Sequence, residues 1–220
     1  MNEFFNVPLA VFGCSWTKSF VNIRDPMLSL GQSIGEVLSA KLGSSIYVDM
    51  GIEGASNTRS VLQLLDYVKR QDLQIKGSIA VFLLTAKERN CTILDDGSVV
   101  DFQIFEPHTP MTEAYYKYFS SVNNLNFDLQ KNILAMQAIC RAYFIRDYYV
   151  GTWHDETYDF YGVEMTKIYP KTCIQMLGLK NHSEYAKSIP SKFILQCGHP
   201  NRFGNEIIAN ELHQWIVGSF

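Results

Sequence analysis

Short apolar runs alternate along this chain with longer segments in which apolar residues recur every three or four positions. The short runs predict four buried strands, at about 9–12, 45–50, 78–84 and 142–149. The longer segments predict helices at about 27–41, 56–70, 112–120, 127–141 and 203–217. Strands that alternate with helices in this way predict an α/β fold, a doubly wound parallel sheet covered by helices.

Residues that favour helix ends lie at the predicted ends of two of these helices. Pro26 suits the first turn of the first helix, and Gly43 lies just past its end. Ser56 or Asn57 could cap the second helix, because both side chains can accept a hydrogen bond from a backbone N–H of the first turn.

Two segments lack regular periodicity. Residues 90–111 predict a long loop with a short hairpin around Asp96-Gly97, and such loops usually carry function or are mobile. Residues 151–182 are rich in aromatic side chains and irregular, with a short helix at about 166–177. The chain contains no internal repeat, low-complexity tract or linker, so we expect a single domain over residues 1–220.

Composition narrows the class of protein. Hydrophobic residues make up 47% of the 220 residues and charged residues 19%, which favours a sizeable core over disorder. A net charge of −3 lacks the basic surface that nucleic-acid binding requires. The five cysteines are odd in number and form no CxxC pair, which argues against a disulfide framework or a zinc site and favours a reducing compartment. Without a basic leader or about 18 consecutive apolar residues, we expect a soluble cytoplasmic protein with no membrane span.

Candidate chemistry begins at the end of the first predicted strand. Gly13 breaks this strand, and Ser15 follows at the turn, where open α/β sheets place their ligand sites. A serine needs a positioned base to act as a nucleophile, and His199 is available just before the last helix. The remaining histidines show no ligand spacing with one another, so we expect neither a metal nor a cofactor.

Further candidates follow the second and third predicted strands. Gly54 lies at a helix N-terminus, where a backbone N–H can stabilise a developing oxyanion together with the N–H of Ser15. Thr85-Ala86-Lys87-Glu88-Arg89 follows the third strand, and in a doubly wound sheet these ends converge on one crevice. We therefore expect Ser15, His199 and Gly54 to be catalytic. The residues expected to contact substrate are Thr85, Lys87, Arg89, Asn57 and Trp153.

Three blocks of this sequence resemble those of the SGNH (GDSL-like) hydrolases. The first is Gly13-Cys14-Ser15-Trp16-Thr17, the second is Gly54-Ala55-Ser56-Asn57, and the third is His199-Pro200-Asn201 before Ile207-Ile208-Ala209. The resemblance extends over most of the chain, from about Val11 to Leu212. It implies a three-layer flavodoxin-like fold and hydrolysis of an ester or acyl group without a cofactor.

The sequence departs from that family pattern at three positions. Cys197 occupies the place, two residues before the histidine, where the family has an acidic residue. Either His199 acts as a dyad base held by a backbone carbonyl, or a carboxylate such as Asp155 or Asp159 substitutes. The family's third-block asparagine is absent, and Thr85, Lys87 or Arg89 could donate to the oxyanion instead. Cys14 replaces the aspartate before the nucleophile, and we interpret the Cys14 and Cys197 thiols as buried and inert.

The preferred function is hydrolysis of an O-acyl or O-acetyl ester on a carbohydrate or a small lipid. The aromatic loop near Trp153 suggests a sugar, since aromatic rings pack against sugar faces. The alternative is a ligand- or carbohydrate-binding protein that keeps the fold without catalysis, as the replacement of the family's acid by Cys197 would allow.

Overall fold

The structure is a computed structural model that describes residues 7–18, 32–44, 46–70, 73–102, 109–153, 160–195 and 197–219. Its strands are β1 Leu9–Gly13, β2 Tyr47–Asp49, β3 Ile79–Leu84, β4 Asn90–Ile93, β5 Val99–Phe102 and β6 Arg146–Gly151. Its helices are α1 Ile34–Leu42, α2 Asn57–Val68, α3 Pro110–Phe119, α4 Val122–Ala142, α5 Cys173–Met176, α6 His182–Lys187 and α7 Arg202–Gly218. Short 3₁₀ turns lie at Ser15–Thr17 and Met165–Lys167.

Four parallel strands form the central sheet in the order β2-β1-β3-β6. Strands β4 and β5 form a separate antiparallel hairpin, as the sequence predicts around Asp96-Gly97. The chain runs from β1 outwards to β2 and then returns to pair β3 on the other side of β1. This reversal between β1 and β3 is the point where open α/β sheets bind ligands.

The sheet is buried on both faces because its strands alternate between two apolar clusters. Leu9 and Val11 of β1 face a cluster that includes α1 and α7, whereas Ala10 and Phe12 face one that includes α2 and α4. β3 is buried at every position, as predicted for the central strand. The three-layer α/β class predicted from the sequence is confirmed by this arrangement.

Caps fix two of the predicted helix ends. Gly43 ends α1 in the left-handed conformation, with φ of 69°, which is as expected for a C-terminal glycine. Ser56, and not Asn57, caps α2 by accepting a hydrogen bond from the N–H of Arg59. α1 begins at Ile34, where Ser33 is the N-cap and forms a capping box with Glu36. The first part of the predicted helix, residues 27–31, lies outside the described residues. Pro26 lies outside the described residues.

The fourth parallel strand also differs from its predicted bounds. Residues 142–145 belong to the end of α4 and the turn that follows it, in which Phe144 has a φ of 56° and Ile145 N–H donates to Cys140 C=O. The strand is therefore shifted towards the C-terminus and ends at Gly151. α6 was not predicted, because six residues are too few for a clear helical period.

None of the helices in the described part of the chain is long and apolar enough to cross a membrane.

Candidate active site

Ser15 lies in a 3₁₀ turn directly after β1 and is 7% exposed. Two contacts tie this turn to the end of β2. The Thr17 hydroxyl lies 3.4 Å from Asp49 Oδ1, and Lys18 forms a 2.8 Å ion pair with Asp49. Gly51 leaves room for this contact, since a Cβ there would lie 1.6 Å from Thr17 Oγ1. The Ser15 turn is thus held by the neighbouring strand.

His199 lies in a loop whose form follows from its neighbours. The C=O of His199 accepts from Leu195 N–H at 2.8 Å, and the Tyr185 hydroxyl donates to the C=O of Gly198. Asn201 caps α7, where its side chain accepts from the N–H groups of Phe203 and Gly204. The His-Pro-Asn sequence therefore places an imidazole immediately before a helix N-terminus.

The two loops bring the predicted nucleophile and base together across 184 positions of sequence. His199 Nε2 lies 2.7 Å from Ser15 Oγ, and the other ring nitrogen, Nδ1, lies 3.3 Å from Cys197 Sγ. Cys197 is exposed, so the prediction that its thiol is buried is wrong. The position of Cys197, two residues before His199, could have predicted this contact with the imidazole. Cys14 is fully buried in the apolar cluster, as expected.

The imidazole is a weak base in this setting. Burial first, and the positive charge of Arg89 second, lower the pKa of His199 to about 4, although a backbone hydrogen bond at Cys197 acts in the opposite direction. At neutral pH the ring is therefore uncharged, which allows one ring nitrogen to accept a proton from Ser15 while the other donates.

Gly54 lies in the turn between β2 and α2 with a φ of 75°, a conformation that favours glycine. Within the part of the chain that the structure describes, the backbone N–H groups of Ser15 and Gly54 have no hydrogen-bond acceptor. Both residues follow the carboxyl ends of adjacent parallel strands, β1 and β2, and therefore lie at the same edge of the sheet.

The side chain of Asn57 forms hydrogen bonds to the backbone of the turn after β3. Its Nδ2 donates to the C=O of Thr85 at 3.0 Å, and its Oδ1 accepts from the N–H of Thr85 at 2.9 Å. Asn57 and Thr85 are almost fully buried, and the Thr85 hydroxyl has no hydrogen-bond partner among the described residues. Asn57 thus positions Thr85, and the Thr85 hydroxyl remains a possible donor.

Lys87 and Arg89 point to different neighbours. Lys87 Nζ donates to Asn126 Oδ1 on α4 at 2.9 Å. The Arg89 guanidinium lies over the ring of Trp153, with 5.1 Å from Cζ to the ring centroid. Trp153 in turn makes an edge contact with Trp16, the residue after Ser15, at 5.4 Å between centroids. Arg89 and Trp153 are therefore linked to the Ser15 turn through an aromatic contact.

Three further points concern the predicted carboxylate partners of His199, a possible metal site and a contact that was not predicted. Asp155 and Asp159, the carboxylates considered as partners of His199, lie outside the described residues. Among the residues the structure does describe, no three His, Cys, Asp or Glu side chains cluster in a way that could hold a metal ion. The contact between the Tyr185 hydroxyl and Gly198 was not predicted, because it joins the short helix α6 to a loop and no periodicity of the sequence encodes such a pairing.

No protein-family model matches the sequence, and no curated protein matches it. The structure is similar to the crystal structure of protein YxiM from Bacillus subtilis, with a TM-score of 0.51 and 14% identity over 97% of this chain. The chain spans 57% of the length of YxiM. A crystal structure of a GDSL-like lipase from Bacteroides thetaiotaomicron aligns over 98% of this chain and 90% of its own, with 11% identity and a TM-score of 0.47, too low to carry weight.

The similarity to YxiM concerns the fold alone. It agrees with the three-layer α/β fold predicted from the sequence, and the sheet order β2-β1-β3-β6 follows the flavodoxin-like pattern in which the first strand lies between the second and third parallel strands. A fold of this kind supports many activities, and the residues of the site determine which one a protein has.

Proposed function

We propose that this protein is a serine hydrolase that cleaves an O-acyl or O-acetyl ester through Ser15 and His199. The observation that carries the proposal is the 2.7 Å separation between Ser15 Oγ and His199 Nε2 at the carboxyl edge of the sheet. A buried hydroxyl paired with a neutral imidazole is the arrangement that nucleophilic acyl transfer requires. A carbohydrate or small lipid ester remains the proposed substrate.

The proposed reaction has two halves. Ser15 Oγ attacks the acyl carbon and its proton passes to His199 Nε2. The bond to the leaving oxygen then breaks, and the alcohol departs with that proton. A water molecule next gives a proton to His199 and attacks the acyl-serine, which releases the carboxylic acid and restores the Ser15 hydroxyl.

Donors near Ser15 support the formation of the tetrahedral intermediate. The N–H groups of Ser15 and Gly54, which have no acceptor among the described residues, are proposed to bind its oxyanion, with the Thr85 hydroxyl as a third donor. Loss of one such donor typically slows turnover by about 10²–10³-fold. Thr85 would thus take the place of the family's third-block asparagine.

Cys197 is proposed as a positioning residue for His199. Sulfur accepts a hydrogen bond weakly, but a contact of 3.3 Å to Nδ1 favours the tautomer that leaves Nε2 free to take the Ser15 proton. A neutral thiol stabilises the imidazolium less than a carboxylate does. We therefore expect an active enzyme that turns over more slowly than one with a complete acidic triad.

The proposal is tested by hydrolysis of p-nitrophenyl acetate. The Ser15→Ala variant should lose turnover while its circular dichroism and melting temperature stay close to those of the wild type. Ser98→Ala is the matched control, because Ser98 is exposed in the β4–β5 turn. Wild-type rates in the Ser15→Ala variant would show that Ser15 is not the nucleophile.

A second candidate is a binding protein that uses the same edge without catalysis. The observation that favours it is the thiol at Cys197, which leaves His199 with a partner weaker than a carboxylate. This candidate predicts no Ser15-dependent turnover, together with binding of an acetylated oligosaccharide that weakens in a Trp153→Ala variant. Turnover that depends on Ser15 would exclude it.

A further inference from the structure

We infer that Arg89 binds an anionic group of the ester, so that the preferred substrates carry a carboxylate or a comparable anion. This inference rests on the proposed function, since it places the anion beside the proposed Ser15–His199 pair. It concerns the substrate class and differs from a role of Arg89 in oxyanion stabilisation, which would act on neutral and charged esters alike.

The guanidinium of Arg89 is held in place by its surroundings. Arg89 ends the turn after β3, where its N–H donates to the C=O of Ala86 at 3.1 Å. Its side chain stacks over Trp153, which contacts Trp16 next to the proposed nucleophile. Stacking fixes the plane of an arginine and leaves its N–H edge to bind a planar anion in two-point fashion.

One nitrogen of that edge lacks a hydrogen-bond partner in the described part of the chain. Arg89 Nη1 is buried from solvent and has no hydrogen-bond acceptor, and no ion pair joins Arg89 to a described carboxylate. A buried charged donor without an acceptor is destabilising, so such groups are usually paired. Lys87 on the same turn differs, since its ammonium already donates to Asn126.

Among the described residues, no carboxylate forms an ion pair with Arg89. The Asp101 carboxyl interacts with it electrostatically, because the charge of Arg89 acts on the pKa of Asp101. Burial raises that pKa, and Arg59 opposes the rise more strongly than Arg89 does. The positive charge of Arg89 also acts on the nearby His199 imidazole. An anion bound to Arg89 would offset its repulsion of the imidazolium that forms during the reaction, so such a substrate fits this site better than a neutral one.

Two matched pairs of esters test the inference and locate the charge. 4-Acetoxybenzoate and its methyl ester place an anion, or none, on the leaving alcohol. The 4-nitrophenyl esters of succinate and of methyl succinate do the same for the acyl group. Each value of kcat/KM is divided by the rate of spontaneous hydrolysis. We expect the wild type to prefer the anionic member of at least one pair by tenfold or more.

Variants connect this preference to the guanidinium. Arg89→Gln should remove the preference, so that the ratio of kcat/KM for the anionic and the neutral member of each pair approaches one, and Arg89→Lys should retain part of it because a charge without the planar fork remains. Arg141→Gln is the matched control, because Arg141 pairs with Glu164 on the surface. Melting temperatures establish that each variant is folded.

The results of these assays distinguish the inference about Arg89 from the proposed hydrolase function. Ser15-dependent cleavage of neutral esters without any anionic preference would overturn the inference and leave the hydrolase proposal standing. A preference for anionic esters that persists in the Arg89→Gln variant would have the same meaning. So would an equal loss of kcat/KM for neutral and anionic esters in that variant. Failure to cleave any of the four esters would count against both. Tighter binding of 4-acetoxybenzoate than of its methyl ester by the Ser15→Ala variant, measured calorimetrically, would support the inference independently of turnover.

Discussion

The proposed chemistry depends at the scale of single residues on how the imidazole of His199 is tuned. Burial and the Arg89 charge keep the ring neutral over the whole neutral range, so the base is always available. The same effects make it a weak proton acceptor, because a base with a low pKa gains less from taking the proton of a serine. The site therefore favours availability of the base over its strength.

The pH dependence of turnover follows from that pKa. Because the neutral ring is the active form, kcat/KM for a neutral ester should fall as the pH drops through about 4 and should be independent of pH from there to neutrality. Stopped assays corrected for spontaneous hydrolysis measure this profile. An acid limb near 6.5, the ordinary value for histidine, would contradict the environment described for His199.

An acidic side chain at position 197 should make His199 a stronger base. In a Cys197→Asp variant, a carboxylate beside Nδ1 would stabilise the imidazolium, raise the pKa of His199 and increase kcat by about tenfold, which corresponds to about 1.4 kcal/mol of transition-state stabilisation. The acid limb of the pH profile should move upwards at the same time.

Other substitutions at the same position serve as controls for this prediction. Cys197→Ser should retain a partner for the ring and most of the activity, whereas Cys197→Ala should lower kcat. Equal rates and superimposable pH profiles for the Ala, Ser and Asp variants would show that residue 197 does not position His199.

The contact between Ser15 and His199 could be predicted from the sequence, whereas other contacts of the site could not. The Ser15–His199 pair could be predicted because block order and strand ends place both residues at one edge of the sheet. The Cys197 contact was missed because a thiol was assumed to prefer the core. The Asn57–Thr85 hydrogen bonds join the start of α2 to the turn after β3, and no periodicity encodes such a pairing.

At the scale of secondary-structure elements, short helices and turns position the reacting groups. α6 supplies Tyr185, which packs against Trp16 with 6.0 Å between ring centroids and donates its hydroxyl proton to the Gly198 carbonyl. One side chain thus contacts both the turn that carries Ser15 and the loop that carries His199. Its burial in the apolar cluster fixes the spacing of the two loops.

Tyr185→Phe tests this positioning role, because it keeps the ring and removes the hydrogen bond. Stability should fall by about 1 kcal/mol, and kcat should fall several-fold with little change in KM, since the ester would still bind. Denaturant titration and steady-state kinetics measure the two effects. Tyr161→Phe, at a residue that is 94% exposed, is the control. A loss confined to stability would mean that Tyr185 only supports the fold.

Element boundaries were predictable where a cap marks them. Gly43 and Ser56 lie at the observed ends of α1 and α2. The fourth parallel strand was misplaced because its preceding helix ends in an apolar stretch, Ala142 to Ile145, that has the hydrophobicity of a strand. The left-handed turn at Phe144 separates the two, and the sequence there has no glycine to mark it.

At the scale of the whole molecule, the sheet order creates the site. β1 and β3 are adjacent parallel strands, but the chain continues from β1 to β2 on one side and from β3 towards β6 on the other. The turns after both strands lie at the same edge of the sheet and carry Ser15 and Thr85. The alternation of strands and helices was enough to predict the α/β class. Strand order was not encoded in that alternation, because pairing depends on long-range packing of both apolar clusters.

The sheet should depend strongly on its aromatic stack. Phe12, Phe82 and Tyr149 lie in register on neighbouring strands, with ring centroids 4.7 Å and 4.9 Å apart. Phe82→Ala should therefore lower the free energy of unfolding by about 3–5 kcal/mol. Urea titration tests this value, and Phe127→Ala, at an exposed position of α4, should change it little. Similar losses for both variants would contradict the central position of the stack.

The most direct test of the proposed hydrolase is covalent labelling with a fluorophosphonate, followed by intact-mass measurement and peptide mapping. The account predicts a single phosphonyl adduct on Ser15, formed slowly or not at all in the His199→Ala variant. An unlabelled Ser15 in folded protein, or an adduct elsewhere that forms equally well without His199, would contradict it.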